Sequence, residues 1–424
     1  MSLPDGGRLV AAPRRSPIRV AVLTETFAKG MGYAGSMLPK YLARLGADVH
    51  VITMDLSPYH SLAEFQQIYG GITGADAIKP GTVERYDGYH LHVLGHARVM
   101  GYMRMVGLGP VIAELRPDVV QTFAAIGPIP MDAALLRLRF GYKLFTGNHT
   151  TASVFPLAQA ALPCWHRRRL QCLALRSAPG RVISWFTERC YGATVDCGEV
   201  AVKFFGVPRR KLTVCPLGVD SEVFHPAPVA EGAERAALRR ELGFADHEIV
   251  CIYTGRFTEA KNPALLAEAV ARLARQGRPF RGLFLGSGPQ QERLQGSPAC
   301  SVLPFRPVNE LGRYFRASEI GVWPTQESTS MLDAAACGLP IVVNDTLQAG
   351  ERVEGNGLRY RLNDLDDLVA ALRRLEDPAL RSRLGSAGAE KMRREYSWES
   401  IARRRLADYQ RALEPQPAAC AGTE

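Results

Sequence analysis

A chain of 424 residues is too long for one compact core and points to two or three domains. Its 46% hydrophobic and 22% charged residues are ordinary for a globular protein, and no apolar run approaches the ~20 residues that span a bilayer. The net charge of +10 admits anionic small molecules, lipid surfaces or polyanions as partners, while nine irregularly spaced cysteines without a Cys-x-x-Cys pair argue against a zinc site and a disulfide scaffold and for reduced thiols in a cytoplasm.

Residues 1–16 hold Arg8, Arg14 and Arg15 but no apolar signal core, and read as a disordered leader. Ile18 to Thr24 is a buried-strand pattern, followed by the glycine-rich loop Lys29-Gly-Met-Gly32-Tyr-Ala-Gly35. A helix is expected from Ser36 to Gly46 and a strand from Asp48 to Met54. Small residues at such a first turn let a ligand approach the backbone, although the spacing is not that of a dinucleotide fingerprint. Residues 59–82 show no clear period and read as an excursion. Strands are expected at Tyr89–Leu94, Pro117–Phe123 and Lys143–Gly147, with helices at Val111–Arg116 and Met131–Phe140. The last of these strands ends in Asn148-His149-Thr150-Thr151, polar residues at the edge where α/β sheets carry their sites; a histidine there is a structural hydrogen-bonder or a site residue. Trp165 to Arg176 is basic and amphipathic, and reads as a surface helix or as a patch facing a membrane or an anionic acceptor. Arg181–Ser184 and Lys211–Pro216 read as short strands, and His225–Glu234 as a linker.

A second βα series follows. Glu248–Thr254 ends in Gly255-Arg256-Phe-Thr-Glu-Ala-Lys261-Asn-Pro, and Ala264–Gln276 is an amphipathic helix. Arg281–Leu285 ends in Gly286-Ser-Gly288-Pro289, Val302–Phe305 is a strand and Asn309–Ala317 a helix. Next, the strand Ile320–Trp323 leads through Pro324–Ser330 into a helix at Met331–Cys337 and the strand Ile341–Asn344. The loop sets Glu327 and the hydroxyls of Ser328, Thr329 and Ser330 at a helix N-terminus, which is a capped helix end or an anion site. Late helices are expected at Leu365–Leu375, Pro378–Tyr396 and Trp398–Leu413. Two such series joined by a linker give an α/β fold of two Rossmann-like halves facing one cleft.

Parallel strands gather their C-terminal ends at one edge. That edge of the second half would collect Arg256 and Lys261, the Gly286–Gly288 turn, Phe305-Arg306 and the Glu327–Ser330 loop, with Asp333 one helical turn further on. Two cations, a glycine-rich turn and a helix N-terminus suit a diphosphate, and Asp333 suits ribose hydroxyls. Gly255-Arg256-x-x-x-x-Lys261-Asn, Gly286-x-Gly-Pro289, Leu217-Gly-Val-Asp220 and Pro324…Glu327…Leu-Asp333-Ala-Ala-Ala-Cys-Gly-Leu-Pro340 together resemble the GT-B-fold glycosyltransferases of family 4. Pro117-Asp-Val-Val, Asn148-His149 and Tyr396-Ser-Trp398-Glu are similar to further segments of that family, and the resemblance covers about residues 18–413.

The resemblance implies a GT-B architecture: an acceptor half over residues 17–220 completed by a last helix at 398–413, a nucleotide-sugar half over 221–397, and a loose tail at 414–424. It implies a retaining glycosyltransferase using a UDP- or GDP-sugar, with no tightly bound cofactor and no required metal. Arg256 and Lys261 would hold the diphosphate and stabilise it as a leaving group. Glu327 and the backbone N–H groups of Ser328, Thr329 and Ser330 would touch the donor sugar or distal phosphate. His149 would reach the donor sugar from the other half, and the loop containing Gly32 would lie beside the diphosphate and acceptor. Gly255, Gly286, Gly288 and Arg306 would complete the nucleotide site, and Asp333 would bind ribose. The expected partners are the nucleotide sugar and a glycan, lipid or small-molecule acceptor, with no nucleic acid. A peripheral contact with the inner face of the membrane is expected through residues 165–176. The alternative is a catalytically degenerate GT-B protein that binds membrane or polyanion. One register is open: the family's paired glutamates, anchored on Cys337-Gly338, fall on Asp333 and on Thr325, unless a shorter loop lets Glu327 fill the first position.

Overall fold

The computed structural model describes residues 17–414 except 59–76, 100, 161–162, 164, 229–231 and 348–349. The expected leader, most of the excursion and the tail beyond Glu414 lie outside the described residues.

The first sheet has eight strands in the order β10 (Leu212–Val214), β9 (Thr187–Gly192), β8 (Lys143–Asn148), β7 (Val119–Thr122), β1 (Arg19–Leu23), β2 (Asp48–Met54), β4 (Tyr89–Leu94) and β3 (Val83–Tyr86). All its pairings are parallel except that of β3 with β4. The second sheet has six parallel strands in the order β13 (Cys300–Leu303), β12 (Phe280–Leu285), β11 (Ile249–Thr254), β14 (Ile320–Trp323), β15 (Ile341–Asn344) and β16 (Gly357–Tyr360). Helices cover both faces of each sheet, so the central strands β1, β7, β11 and β14 are almost wholly buried; β1, β11 and β14 read as largely apolar runs, while β7 carries the buried polar pair Gln121 and Thr122.

Strand order reverses at β1/β7 in the first sheet and at β11/β14 in the second. At such a switch point the connections leave to opposite sides and open a crevice beyond the strand ends. Two such crevices face each other here.

The segment at 181–184 is helical rather than a strand. Val182 and Ile183 suggest β structure, but a helical run from Arg167–Cys172 continues through a wide turn at Leu173–Ser177 into Ala178–Phe186. Pro179 falls within this run directly after the wide turn, where its missing N–H interrupts the regular hydrogen-bond ladder, and Ile183 is buried. The true strand is β9, followed by a helix at Val195–Phe204 capped by the Thr194 hydroxyl. β3 and the hairpin of β5 (His96–Val99) with β6 (Tyr102–Met105) were not expected from the sequence; β3 and β5 are edge elements with few buried positions.

The last helix, Trp398–Leu413, packs into the first sheet's core through Trp398, Ile401, Ala402 and Tyr409. Gln121 Oε1, fully buried on β7, accepts from Tyr409 Oη at 2.9 Å and from Arg405 Nη1 at 3.1 Å. The Arg405 guanidinium also lies 3.6 Å from the Tyr191 ring centroid. The two chain crossings between the halves pair with each other: Val219 N donates to Tyr396 O at 2.7 Å and Trp398 N to Val219 O at 3.0 Å. A Cβ at Gly218 would lie 2.5 Å from the Trp398 ring, which requires glycine there. Asp220, just beyond, accepts from Tyr41 Oη at 2.8 Å and Lys40 Nζ at 3.1 Å, tying the crossing to the helix Ala34–Arg44.

Replacing Gln121 by leucine removes the acceptor for a buried guanidinium and a buried phenol. The expected loss is about 1–3 kcal/mol of unfolding free energy, measured by denaturant titration, with proteolytic release of the last helix ahead of global unfolding.

Candidate functional site

A cavity of about 770 Å³ lies between the two sheets. Both crevices open into it. From the first half its wall takes Thr24 and Phe27 beyond β1, Met31, Gly32 and Tyr33 of the glycine-rich loop, and Phe123 and His149 beyond β7 and β8. From the second half it takes Thr254, Gly255, Arg256 and Lys261 beyond β11, Phe305 and Arg306 beyond β13, and Ser328, Thr329, Ser330 and Asp333 beyond β14. Of the thirteen residues singled out from the sequence, ten line the cavity; Gly286, Gly288 and Glu327 do not.

Gly286 and Gly288 shape the site from behind. Their φ values are +154° and +147°, and added Cβ atoms would lie 1.9 Å from Gly255 O and 2.8 Å from Phe257 O. They let the loop after β12 press against the loop after β11, where Phe257 N donates to Ser287 O at 2.9 Å. Tyr253 Oη donates to Arg256 O at 2.9 Å and holds that loop from below.

Lys261 is set by a turn in which its own N–H and that of Asn262 donate to Thr258 O, and Asn262 takes a left-handed φ of +46° before the helix Pro263–Arg275. Its ammonium donates to Glu327 O at 2.8 Å, which joins the loop after β11 to the loop after β14. Burial pushes Lys261 down to about 8; the Glu327 carboxylate opposes this, while Arg256 and Arg352 add to it. A dianionic ligand at this point would restore the full charge.

The capped-helix reading of 328–330 is not what forms. Thr329 occupies the N-cap position in helical geometry and its hydroxyl caps nothing. Ser328 Oγ and Ser330 Oγ instead pair with each other at 2.8 Å. Glu327 turns away from the cavity wall and accepts from Ser153 Oγ of the first half at 3.3 Å, a contact across the cleft mouth. Thr325 Oγ1 donates to Ala260 O and does not line the cavity either, so neither candidate for the first glutamate position faces the cavity wall.

Asp333 departs from the simple carboxylate expected. Burial, with the Asp220 carboxylate second, raises it well above the carboxylate range, which favours a neutral acid able to donate one hydrogen bond. His149 is exposed to the cavity, between the two halves. Desolvation there, then Arg405 and Arg352, push it down to about 4, so it is a neutral imidazole at physiological pH. Its approach is fixed by Asn148, whose side chain donates to Cys197 O at 2.8 Å, and by the Phe123 ring at 5.6 Å.

Sequence reasoning missed Arg352. It is 5% exposed, reaches toward Ser328 O at 3.5 Å, and bears electrostatically on both Lys261 and His149. Two wall residues also hold buried polar atoms without a protein partner, Thr254 Oγ1 and Arg306 Nε. The arrangement is a deep cleft with cations and unpaired donors on one side and a neutral imidazole opposite, suited to a ligand that is anionic at one end.

Two family profiles match the chain. One, described as glycosyl transferases group 1, covers residues 248–377; the other, glycosyltransferase family 4, covers residues 36–223. The D-inositol 3-phosphate glycosyltransferase of Geodermatophilus obscurus is 31% identical over 253 residues, 55% of this chain and 54% of its own. The putative glycosyltransferase EpsF of Bacillus subtilis is 29% identical over 208 residues, 46% of this chain and 50% of its own. The chain thus spans about half the length of these relatives. Among solved structures, sucrose-phosphate synthase from Thermosynechococcus elongatus superposes with a TM-score of 0.67 at 18% identity, covering 93% of this chain and 99% of that one. Anabaena HepE in complex with UDP superposes with a TM-score of 0.65 at 14% identity, covering 93% and 100%. At these identities the likeness is one of fold, and the fold is GT-B.

Lys261 is charged below about pH 8 and loses its proton above it. Affinity for inorganic pyrophosphate is therefore expected to fall as pH rises from about 7 to about 9, approaching tenfold per unit beyond the lysine's pKa. Lys261→Arg should flatten this dependence in a calorimetric titration, because arginine stays charged.

Proposed function

The chain belongs to the group 1, family 4 glycosyltransferases, and from that premise we propose that it transfers a sugar, with retention of anomeric configuration, from a UDP- or GDP-sugar to a hydroxyl-bearing acceptor. One observation carries the reading. The switch-point crevices of both sheets share a single cavity, and Arg256 and Lys261 stand on its wall beside Ser328–Ser330. The UDP and UDP-glucose held by Anabaena HepE are ligands of the class this wall would accept.

The chemistry follows from the side chains. Breaking the bond between the anomeric carbon and the diphosphate leaves the electron pair on the phosphate oxygen. Arg256 and Lys261 are fixed by their own loops before the reaction and lie where that charge accumulates, so they stabilise the transition state more than the ground state. The tether from Lys261 to Glu327 O keeps the ammonium in place without neutralising it. Asp333, as a neutral acid, both donates to and accepts from ribose hydroxyls. His149, neutral and on the opposite wall, offers a hydrogen bond to the sugar without adding a second positive charge near an oxocarbenium-like carbon. The acceptor enters from the side of Thr24, Phe27, Met31 and Tyr33, a wall of hydroxyls and apolar groups.

Calorimetric titration with UDP, GDP and ADP is expected to give at least one complex tighter than millimolar. Arg256→Ala should weaken it by about ten- to a hundredfold, the value of a charge-assisted hydrogen-bonded pair. A panel of the matching nucleotide sugars, read by nuclear magnetic resonance of the product's anomeric proton, tests transfer and retention together. Absence of nucleotide binding, or binding indifferent to Arg256, sinks the reading.

A further inference from the structure

We propose that the helical run from Arg167 to Phe186 is a docking face for a lipid bilayer with anionic headgroups. Trp165 and Trp185 are 77% and 72% exposed, and Leu170, Leu173 and Leu175 are exposed with them. Large aromatics are seldom left this open on a globular surface. Along the run, Arg167, Leu170, Ala174, Ala178, Arg181 and Trp185 are spaced by three or four residues and all are exposed, so they form one outward ridge. Bulky apolar groups interleaved with cations on one helical face are the composition of a segment that lies in a membrane interface, with tryptophan at the headgroup level.

The charge of this region is unusual for the chain. Residues 128–186 hold eight cations and one carboxylate, Asp132, in a chain whose total is +10. Arg137 and Lys143 reach Glu188, just outside. Arg167, Arg168 and Arg181 make no ion pair among the described residues, although exposed arginines elsewhere commonly do: Arg393 with Glu390, Arg403 with Glu399 and Arg361 with Asp364. Three unpaired guanidinium groups beside two exposed indoles complement an anionic headgroup layer.

The face adjoins the cleft. Arg176 lies 4.9 Å from the centroid of Phe155. Phe155 follows the exposed Val154 and Ser153, and Ser153 meets Glu327 at the cleft mouth. A bilayer on this face would lie beside the Ser153–Glu327 contact at the cleft mouth. The inference goes beyond the glycosyltransferase reading and does not depend on it.

The test uses the full chain and two kinds of vesicle, phosphatidylcholine alone and phosphatidylcholine with phosphatidylglycerol, read by cosedimentation. Partition onto the anionic vesicles is expected, falling as salt rises. Arg167→Gln with Arg168→Gln should lower the partition constant on the order of thirtyfold. The two other tryptophans, Trp323 and Trp398, are buried, so a blue shift of emission on binding should vanish in Trp165→Phe with Trp185→Phe. Nucleotide affinity of these variants should equal that of the parent, which separates this test from that of the cavity. No partition onto anionic vesicles, equal partition onto neutral ones, or partition untouched by the arginine changes overturns the proposal.

Discussion

The hydrogen bonds from Arg405 and Tyr409 to Gln121 are the contact on which the cavity depends. They bury a guanidinium and a phenol of the last helix against the middle of the first sheet, after the chain has already built the second. With the antiparallel exchange of hydrogen bonds excluded by the parallel crossing of Val219 and Ser397, both passages between the halves run side by side. Two crossings pinned together restrict the halves to motions about one line. That restriction keeps the two switch-point crevices opposed, and a cleft between opposed crevices can hold both ends of a ligand. Arg405 reaches the site itself as well, since its charge helps keep His149 neutral.

The two walls divide the chemistry by charge. The second half supplies Arg256, Lys261 and Arg306, with Arg352 behind them; the first half supplies hydroxyls, apolar side chains, an uncharged imidazole and the Glu25 carboxylate. Burial, with Arg256 and Arg352 adding to it, lowers the proton affinity of Lys261, and burial raises that of Asp333. An anionic ligand would offset the first of these and hold Asp333 in its neutral form, so the site is electrostatically poised for one.

Much of this was legible because parallel strands buried on both faces leave continuous apolar runs. β2, β14 and β15 have the bounds expected from sequence, as does the half-exposed β4, and the C-terminal ends of β1, β8, β11 and β14 open into loops that line the cavity. Arg256 and Lys261 were legible for the same reason. What failed did so for local reasons. Asp87-Gly88, both at positive φ, is the local turn signal of the β3–β4 hairpin. Arg181–Ser184 looks β-branched in isolation but belongs to a helix begun fourteen residues earlier. The direction of Glu327 and the protonation of Asp333 depend on groups of the opposite half, and Arg352 reaches toward Ser328 O from a later segment of its own half; no local pattern encodes them.

A crystal structure of the chain with UDP or GDP tests the central claim most directly. The diphosphate is expected between the two sheets, within hydrogen-bond distance of Arg256 and Lys261, with ribose at Asp333. A nucleotide bound elsewhere, or in the cavity with its phosphates turned away from those two cations, would contradict it.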